Sequence, residues 1–196
     1  MGVDITVQNL CKSFGSLQVL QNYSGIFRAG QVSCITGSSG GGKTTLLRLL
    51  MGLEKPDSGT ITGLENAVCS AVFQEDRLCE NLSVLSNLRL VCSSKPSKEM
   101  LIGELAKVDL LECVDKPVRE LSGGMKRRVS IVRAMLPDFS VLFLDEPFKG
   151  LDADTYTRVT DYVREKTQGK TVIMVSHDPR DIAQLNGVEF PLPMMK

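Results

Sequence analysis

VSCITGSSGGGKTTLLRLLM, residues 32 to 51, passes from an apolar run through a cluster of glycines to leucines at helical spacing. Val32 to Ile35 reads as a buried strand, and Leu46, Leu47, Leu49, Leu50 and Met51 recur with the period of a helix. Between them, GSSGGGKT fits G-x-x-x-x-G-K-[ST] at every fixed position. The chemistry behind the pattern is geometric. A polyphosphate meets a row of backbone N–H groups only where side chains do not intrude, so glycines build the loop. The helix that starts near Lys43 adds its unpaired N–H groups and the positive end of its dipole. Lys43 is expected to reach the outer phosphates, and the Thr44 hydroxyl to ligate Mg²⁺. A flexible Gly/Ser linker shares the composition but explains neither the strand before nor the helix after. The stretch predicts a site for a nucleoside triphosphate.

Bulk properties narrow the class. A chain of 196 residues can bury a substantial core as one large domain or two small lobes. Basic and acidic residues balance at 23 each, which argues against a primary nucleic-acid binder. No apolar run approaches the length of a membrane span, and the N-terminal MGVDITVQNLCKSF lacks the apolar core of a signal peptide. The six cysteines, at 11, 34, 69, 79, 92 and 113, form no C-x-x-C pair. Several, such as Cys34 and Cys69, sit in apolar runs and read as buried free thiols of a reducing compartment.

Along the chain, VDITVQN (3–9) alternates as a half-exposed strand, and LQVLQNYSGIF is a second strand candidate. Phe14 lies between them, able either to stack on a purine ring or to serve as a hydrophobic plug. After a helix over 44–52, GTITG and AVCSAVF read as short strands, the latter ending at Gln74. A polar amide there can contact a metal or a water beside phosphates, or simply end the strand. From Ser83 to about residue 118 the pattern is helical, with Val84, Leu85, Leu88 and Val91 on one face. LSGGMKRR (121–128) offers Ser122 as an N-cap, with Gly123 and Gly124 opening a second anion-receiving helix start. A capped surface helix explains the same residues.

SVLFLDEP (140–147) delivers two acids at the end of a buried strand. In a parallel sheet that edge lies beside the phosphate loop. Asp145 would then hold Mg²⁺ through water, and Glu146 would face an attacking water. Asp154 is an N-cap candidate for the helix TYTRVTDYVREKTQ. TVIMVSHD (171–178) reads as a further buried strand, ending in the only histidine, His177.

With GSSGGGKT, Gln74, LSGGM, VLFLDEP, GLD and VSHD in this order, the sequence resembles the ATP-binding cassette ATPases over essentially its whole length. The combination is far more specific than any single motif. The resemblance implies an α/β fold: a P-loop NTPase core with a mostly parallel sheet, a small N-terminal antiparallel part and an inserted helical lobe. It implies one domain over 1–196, with core segments 1–82 and 119–196 around a helical subdomain at 83–118. Phe14 matches the adenine-stacking aromatic, usually tyrosine in the family. Gly37, Ser38, Ser39, Gly40, Gly41, Gly42, Lys43, Thr44 and Thr45 match the Walker A loop. Gln74 matches the Q-loop, Leu121 to Met125 with Ser122, Gly123 and Gly124 the signature, and Asp145 and Glu146 the Walker B pair. Leu151 and Asp152 match the D-loop, and His177 the switch histidine.

Within the family, VFQEDRLCENLSVLSNL and DEPF look most like the nitrate/sulfonate/taurine importer ATPases. Three departures stand out. The stretch before Gln74 is short, Arg127 stands where glutamine is common, and Lys149 replaces a small residue before the D-loop. The family solution is a dimer in which each LSGG closes on the ATP of a second copy, an isologous interface. The resemblance further implies Mg²⁺, separate integral membrane permease subunits, a solute-binding protein, no nucleic acid and a place on the cytoplasmic face of the membrane. Two rivals remain: a soluble cassette ATPase acting on nucleic-acid or protein complexes, and a P-loop small-molecule kinase, in which LSGG has no role.

Overall fold

The computed structural model describes residues 4–38, 40–93 and 96–193. Alternation at the start of the chain builds the first layer. β1 (Ile5–Phe14) buries Ile5, Val7 and Leu10, and β2 (Leu17–Phe27) returns antiparallel beside it. β3 (Val32–Thr36) and α1 (Lys43–Leu50) flank the glycine loop. β4 (Ser58–Thr62) pairs antiparallel with the other edge of β1 and completes a three-stranded sheet. β5 (Cys69–Val72) follows, then α2 (Val84–Arg89), α3 (Lys98–Lys107) and α4 (Gly123–Met135). β6 (Val141–Asp145), α5 (Ala153–Lys166), β7 (Thr171–Val175), α6 (Pro179–Gln184) and β8 (Val188–Pro191) close the order.

The second sheet is parallel throughout, in the order β5-β6-β7-β3-β8. Its central strands β6 and β7 are buried at every residue, as expected of strands covered on both faces. The pleat sorts their side chains. Leu142, Leu144, Val172 and Met174 join a core with α2, α3, α4 and α5. Val141, Phe143, Ile173 and Val175 face the other way, onto α1 and the antiparallel layer. Stacked rings of Phe27 and Phe190, with centroids 4.4 Å apart, tie β2 to β8. The α/β class, the parallel sheet and the small antiparallel part agree with expectation.

Local boundaries differ from the sequence reading in physically simple ways. β5 stops at Val72 and β7 at Val175, so Gln74 and His177 lie on loops beyond the sheet. Asp152, not Asp154, caps α5, with its carboxylate accepting from Thr155 N at 3.0 Å. Cys34 is buried, but Cys69 is exposed, at the start of an edge strand. α2 ends before Val91, and α3 ends at Lys107, two residues before Asp109 takes a positive φ of 59°. Two short 3₁₀ turns, Leu111–Cys113 and Val118–Glu120, then complete the lobe. Ser83 and Ser97 cap α2 and α3 through their hydroxyls.

Asn87 holds this lobe to the segment behind it. Fully buried, it donates to Cys79 O and Ser83 O at 3.0 Å and accepts from Cys79 N at 2.8 Å. Cys79 O and Ser83 O keep the backbone donors Leu82 N and Asn87 N, so Asn87→Ala strands the Cys79 N–H and is expected to lower stability by about 1–3 kcal/mol, read as a fall in the urea midpoint. An unchanged midpoint would mean that water takes over the Cys79 N–H.

Candidate functional site

The glycine loop ends where α1 begins, and the crossing is tight. Gly42 sits at the N-cap of α1 with φ 88°, and a Cβ there would lie 2.9 Å from the carbonyl oxygen and Cγ1 of Val19. Only glycine fits that contact and that backbone. Lys43 is buried, and its ammonium donates to Gly37 O at 2.9 Å and Ser38 O at 2.7 Å. The cation thus shapes the loop from inside. Ser39 lies outside the described residues.

The pleat of β6 then brings a carboxylate to the start of α1. Asp145 follows Val141 and Phe143 on the face toward α1, and the Thr44 hydroxyl donates to its Oδ1 at 3.5 Å. Burial pushes the Asp145 carboxyl above its usual range, while the Thr44 hydrogen bond and the charges of Arg127 and Arg48 oppose that rise.

Glu146 leaves the strand with φ 49°, in the left-handed region, its N–H held by Val175 O at 2.9 Å. A non-glycine residue there costs about 1–3 kcal/mol. The bend aims its carboxylate at His177, with Oε1 3.3 Å from Nε2. Burial raises the Glu146 carboxyl, and the nearby His177 and Lys149 charges lower it.

A cavity of about 400 Å³ gathers most of these groups, while Asp145 meets it only through the Thr44 hydroxyl. Phe14, Gly40, Gly42, Lys43, Thr44, Thr45, Gln74, Glu146 and His177 all line it. The Phe14 ring is 47% exposed, with the Lys12 ammonium 5.0 Å from its centroid. Phe14 is therefore not a buried plug. Val19 and Lys149 line the same cavity. Neither falls in a motif, although Lys149 is visible as a departure before the D-loop.

Among the described residues, none from the signature lines this cavity. Ser122 caps α4, its hydroxyl accepting from Met125 N at 3.3 Å, and the helix start is exposed. Gly124 instead adjoins the D-loop: a Cβ at this position would lie 4.0 Å from Gly150 O and from the Leu151 side chain. Asp152 is exposed and committed to its cap on α5. The loop bearing His177 is braced by a buried network that no motif announces. Tyr156 donates to Asp181 at 2.7 Å, Ser176 donates to the same carboxylate, and Asp178 N donates to Ser176 Oγ at 3.0 Å.

The sequence matches the ABC transporter family over residues 20–149. The chain belongs to that family. A sulfate/thiosulfate import ATP-binding protein from Rhizobium meliloti is 36% identical over 93% of this chain and 55% of its own length. An aliphatic sulfonates import ATP-binding protein from Nocardia farcinica is 36% identical over 93% of the chain and 75% of its own length. The chain therefore spans about half of the first relative and three quarters of the second. In three dimensions it superposes with a TM-score of 0.87 on a bacterial Atm1-family ABC exporter with ATP bound, at 21% identity, over 100% of this chain and 38% of the exporter chain. That likeness gives the fold. Among the described residues, no helix of this family member is long and apolar enough to cross a membrane.

The family setting makes Lys43 the first residue to test. Charge-assisted hydrogen bonds are worth about 1.5–3 kcal/mol each. Lys43→Ala is accordingly expected to weaken ATP binding by about 10- to 150-fold, measured by equilibrium titration of the folded variant. Parental affinity in a folded Lys43→Ala protein would remove the loop from the site.

Proposed function

We propose that this chain is the ATP-binding and ATP-hydrolysing subunit of an ABC importer, acting on the cytoplasmic face of a membrane through separate permease subunits. One observation carries the catalytic reading: Thr44, Glu146 and His177 line one cavity at the C-terminal edge of a parallel sheet, with Asp145 behind the Thr44 hydroxyl and Glu146 facing His177. The residues fit the groups that ATP hydrolysis requires. The cradle at Gly42 has no room for a Cβ, as a loop made to lie close to phosphates requires. The Thr44 hydroxyl and the Asp145 carboxylate form an all-oxygen pair, and both residues line an adjoining cavity together with Gln74. Such a set suits Mg²⁺, which takes few protein ligands and completes its shell with water and phosphate oxygens. When bound there, Mg²⁺ supplies charge neutralisation across the outer phosphates.

The chain's own residues divide the remaining work. Lys43 balances phosphate charge, and Phe14 supplies an exposed ring for the base. Glu146 is partly sheltered and held toward the cavity, where it orients a water and accepts its proton. His177 steadies the carboxylate and can donate to the γ-phosphate. The helix start at Ser122, Gly123 and Gly124 is unused by the chain's own cavity. It suits the nucleotide of a second copy, giving a two-fold ATP sandwich in which Asp152 lies near the junction. Residues 83–118 act as a helical subdomain within one catalytic domain, and with the Gln74 segment they offer the surface for the permease.

Import is favoured over the two rivals by the relatives, whose names assign them to sulfate, sulfonate, spermidine/putrescine and glucose import. Their similar identities to this chain support importer chemistry without selecting a cargo. A solute-binding protein would complete such a system.

Steady-state phosphate release beside equilibrium ATP binding tests the catalytic roles. Loss of a positioned acid–base group costs about 10²–10⁴ in rate, so Glu146→Gln and His177→Ala should each lose turnover on that scale while still binding ATP. Turnover of Glu146→Gln within about threefold of the parent would assign the water to another group.

Gel filtration tests the second copy. Glu146→Gln with ATP should elute as a dimer, and the added change Ser122→Arg should return it to monomer. Ser122→Arg alone should keep monomeric ATP binding; its loss would place Ser122 in the chain's own site.

A further inference from the structure

Helix α4 carries Lys126, Arg127, Ser130 and Arg133 on one side, at the spacing of neighbours on a helix surface. A surface helix would show such a row to water. Here it is turned onto the loop that leaves β5. Arg127 Nη1 donates to Phe73 O at 2.6 Å, Nη2 donates to Gln74 O, and Nε lies 3.3 Å from the Asp76 carboxylate. Further along, Arg133 donates to Arg77 O at 2.9 Å and to Asp76 O at 3.2 Å. Ser130 Oγ lies 3.4 Å from Asp76 Oδ1, and Lys126 pairs with Glu80 at 3.0 Å.

The carbonyls of residues 73, 74, 76 and 77 belong to no helix or strand. α4 supplies the partners that regular structure does not. Arg127, at the centre, is only 7% exposed. Its planar fork binds two adjacent carbonyls at once and fixes direction as well as distance, which a lysine's point charge does not.

We propose that Arg127 is a positioning residue for Gln74. It locks the backbone of Gln74 to α4 and thereby sets where the Gln74 amide stands in the P-loop cavity. The same helix presents Ser122, Gly123 and Gly124 at its first turn, roughly 6 Å along the axis from Arg127. A displacement of that helix start is therefore passed to Gln74 through Arg127, while Arg133 ties the same helix to Asp76 and Arg77 further along the loop. The proposal rests on the reading of the cavity as an ATP-hydrolysing site. It adds a residue that lines no part of that cavity.

A double-mutant cycle separates positioning from mere bracing. Turnover, the ATP concentration at half-maximal rate and the thermal midpoint are measured for the parent chain, Arg127→Met, Gln74→Ala and the double variant. Misplacement of a reacting group by about 1 Å can cost up to 10²-fold. Arg127→Met should lose about tenfold or more in kcat, with KM for ATP within about twofold. The double variant should be no slower than Gln74→Ala alone, and Arg127→Lys should recover part of the loss. If Arg127→Met fails to fold, Arg127→Lys takes its place in the cycle, keeping the charge beside Asp76 but not the fork.

Losses that multiply in the double variant would overturn the proposal, because Arg127 would then act independently of Gln74. Parental turnover in Arg127→Met would overturn it as well. Both results leave the ATP site itself standing. A parent chain that neither binds ATP nor releases phosphate would remove the underlying reading and the proposal together.

Discussion

The parallel pairing of β6, β7 and β3 is the constraint on which the site depends. Because β7 lies between the other two, the strand that ends in the glycine loop and the strand that ends in the acids are held two positions apart with their C-terminal ends level. The pleat does the rest. A shift of one residue in β6 would turn Asp145 away from Thr44 and move Leu144 onto the α1 face. The hydrophobic sorting of Leu142 and Leu144 against Val141 and Phe143 is thus also what fixes the position of a carboxylate. Core packing and site geometry are set by the same register.

That arrangement works against the local preferences of the groups it assembles. Lys43 and Asp145 are buried charges, and Glu146 adopts a backbone conformation that its side chain disfavours. Each is held by a specific partner. The loop carbonyls bind the Lys43 ammonium, the Thr44 hydroxyl meets Asp145, and Val175 O holds the Glu146 N–H. The loop after β7 is fixed in the same manner by the buried Asp181 network, which leaves His177 half exposed at the cavity while its neighbours are rigid. Strain and buried polarity concentrate where the sheet ends, and the apolar sheet beneath supports them.

Much of this is legible in the sequence where it depends on neighbours along the chain. The glycine loop, the apolar run into Asp145 and Glu146 and the serine caps are local signals, and so is the α/β class built from them. What is not legible depends on distant partners. Nothing in DADT tells Asp152 from Asp154 as the cap, because both can accept from a helix start and the preceding turn decides. Cys69 sits in an apolar run, yet it lies exposed at the start of an edge strand. Burial of Lys43 is hidden because its acceptors are carbonyls, which have no sequence signature. Arg127 is visible only as an unusual residue after the signature; its partners Phe73 and Gln74 lie far back in the chain and cannot be read from it.

The sheet order also bears on how the chain can be made. β3 finds its neighbours only in β7 and β8, so Val32 must wait for Val172 and Ser33 for Val188. During synthesis the glycine loop is therefore attached to an apolar strand with no partner until most of the chain has emerged. Pairings this remote in sequence close slowly and leave apolar surface uncovered meanwhile. The antiparallel hairpin of β1 and β2, by contrast, can form as soon as Phe27 has appeared. The protein's nascent chain should thus pass through a long interval in which its first layer is folded and the strand that leads into the glycine loop is bare, the stage at which aggregation or chaperone capture would act.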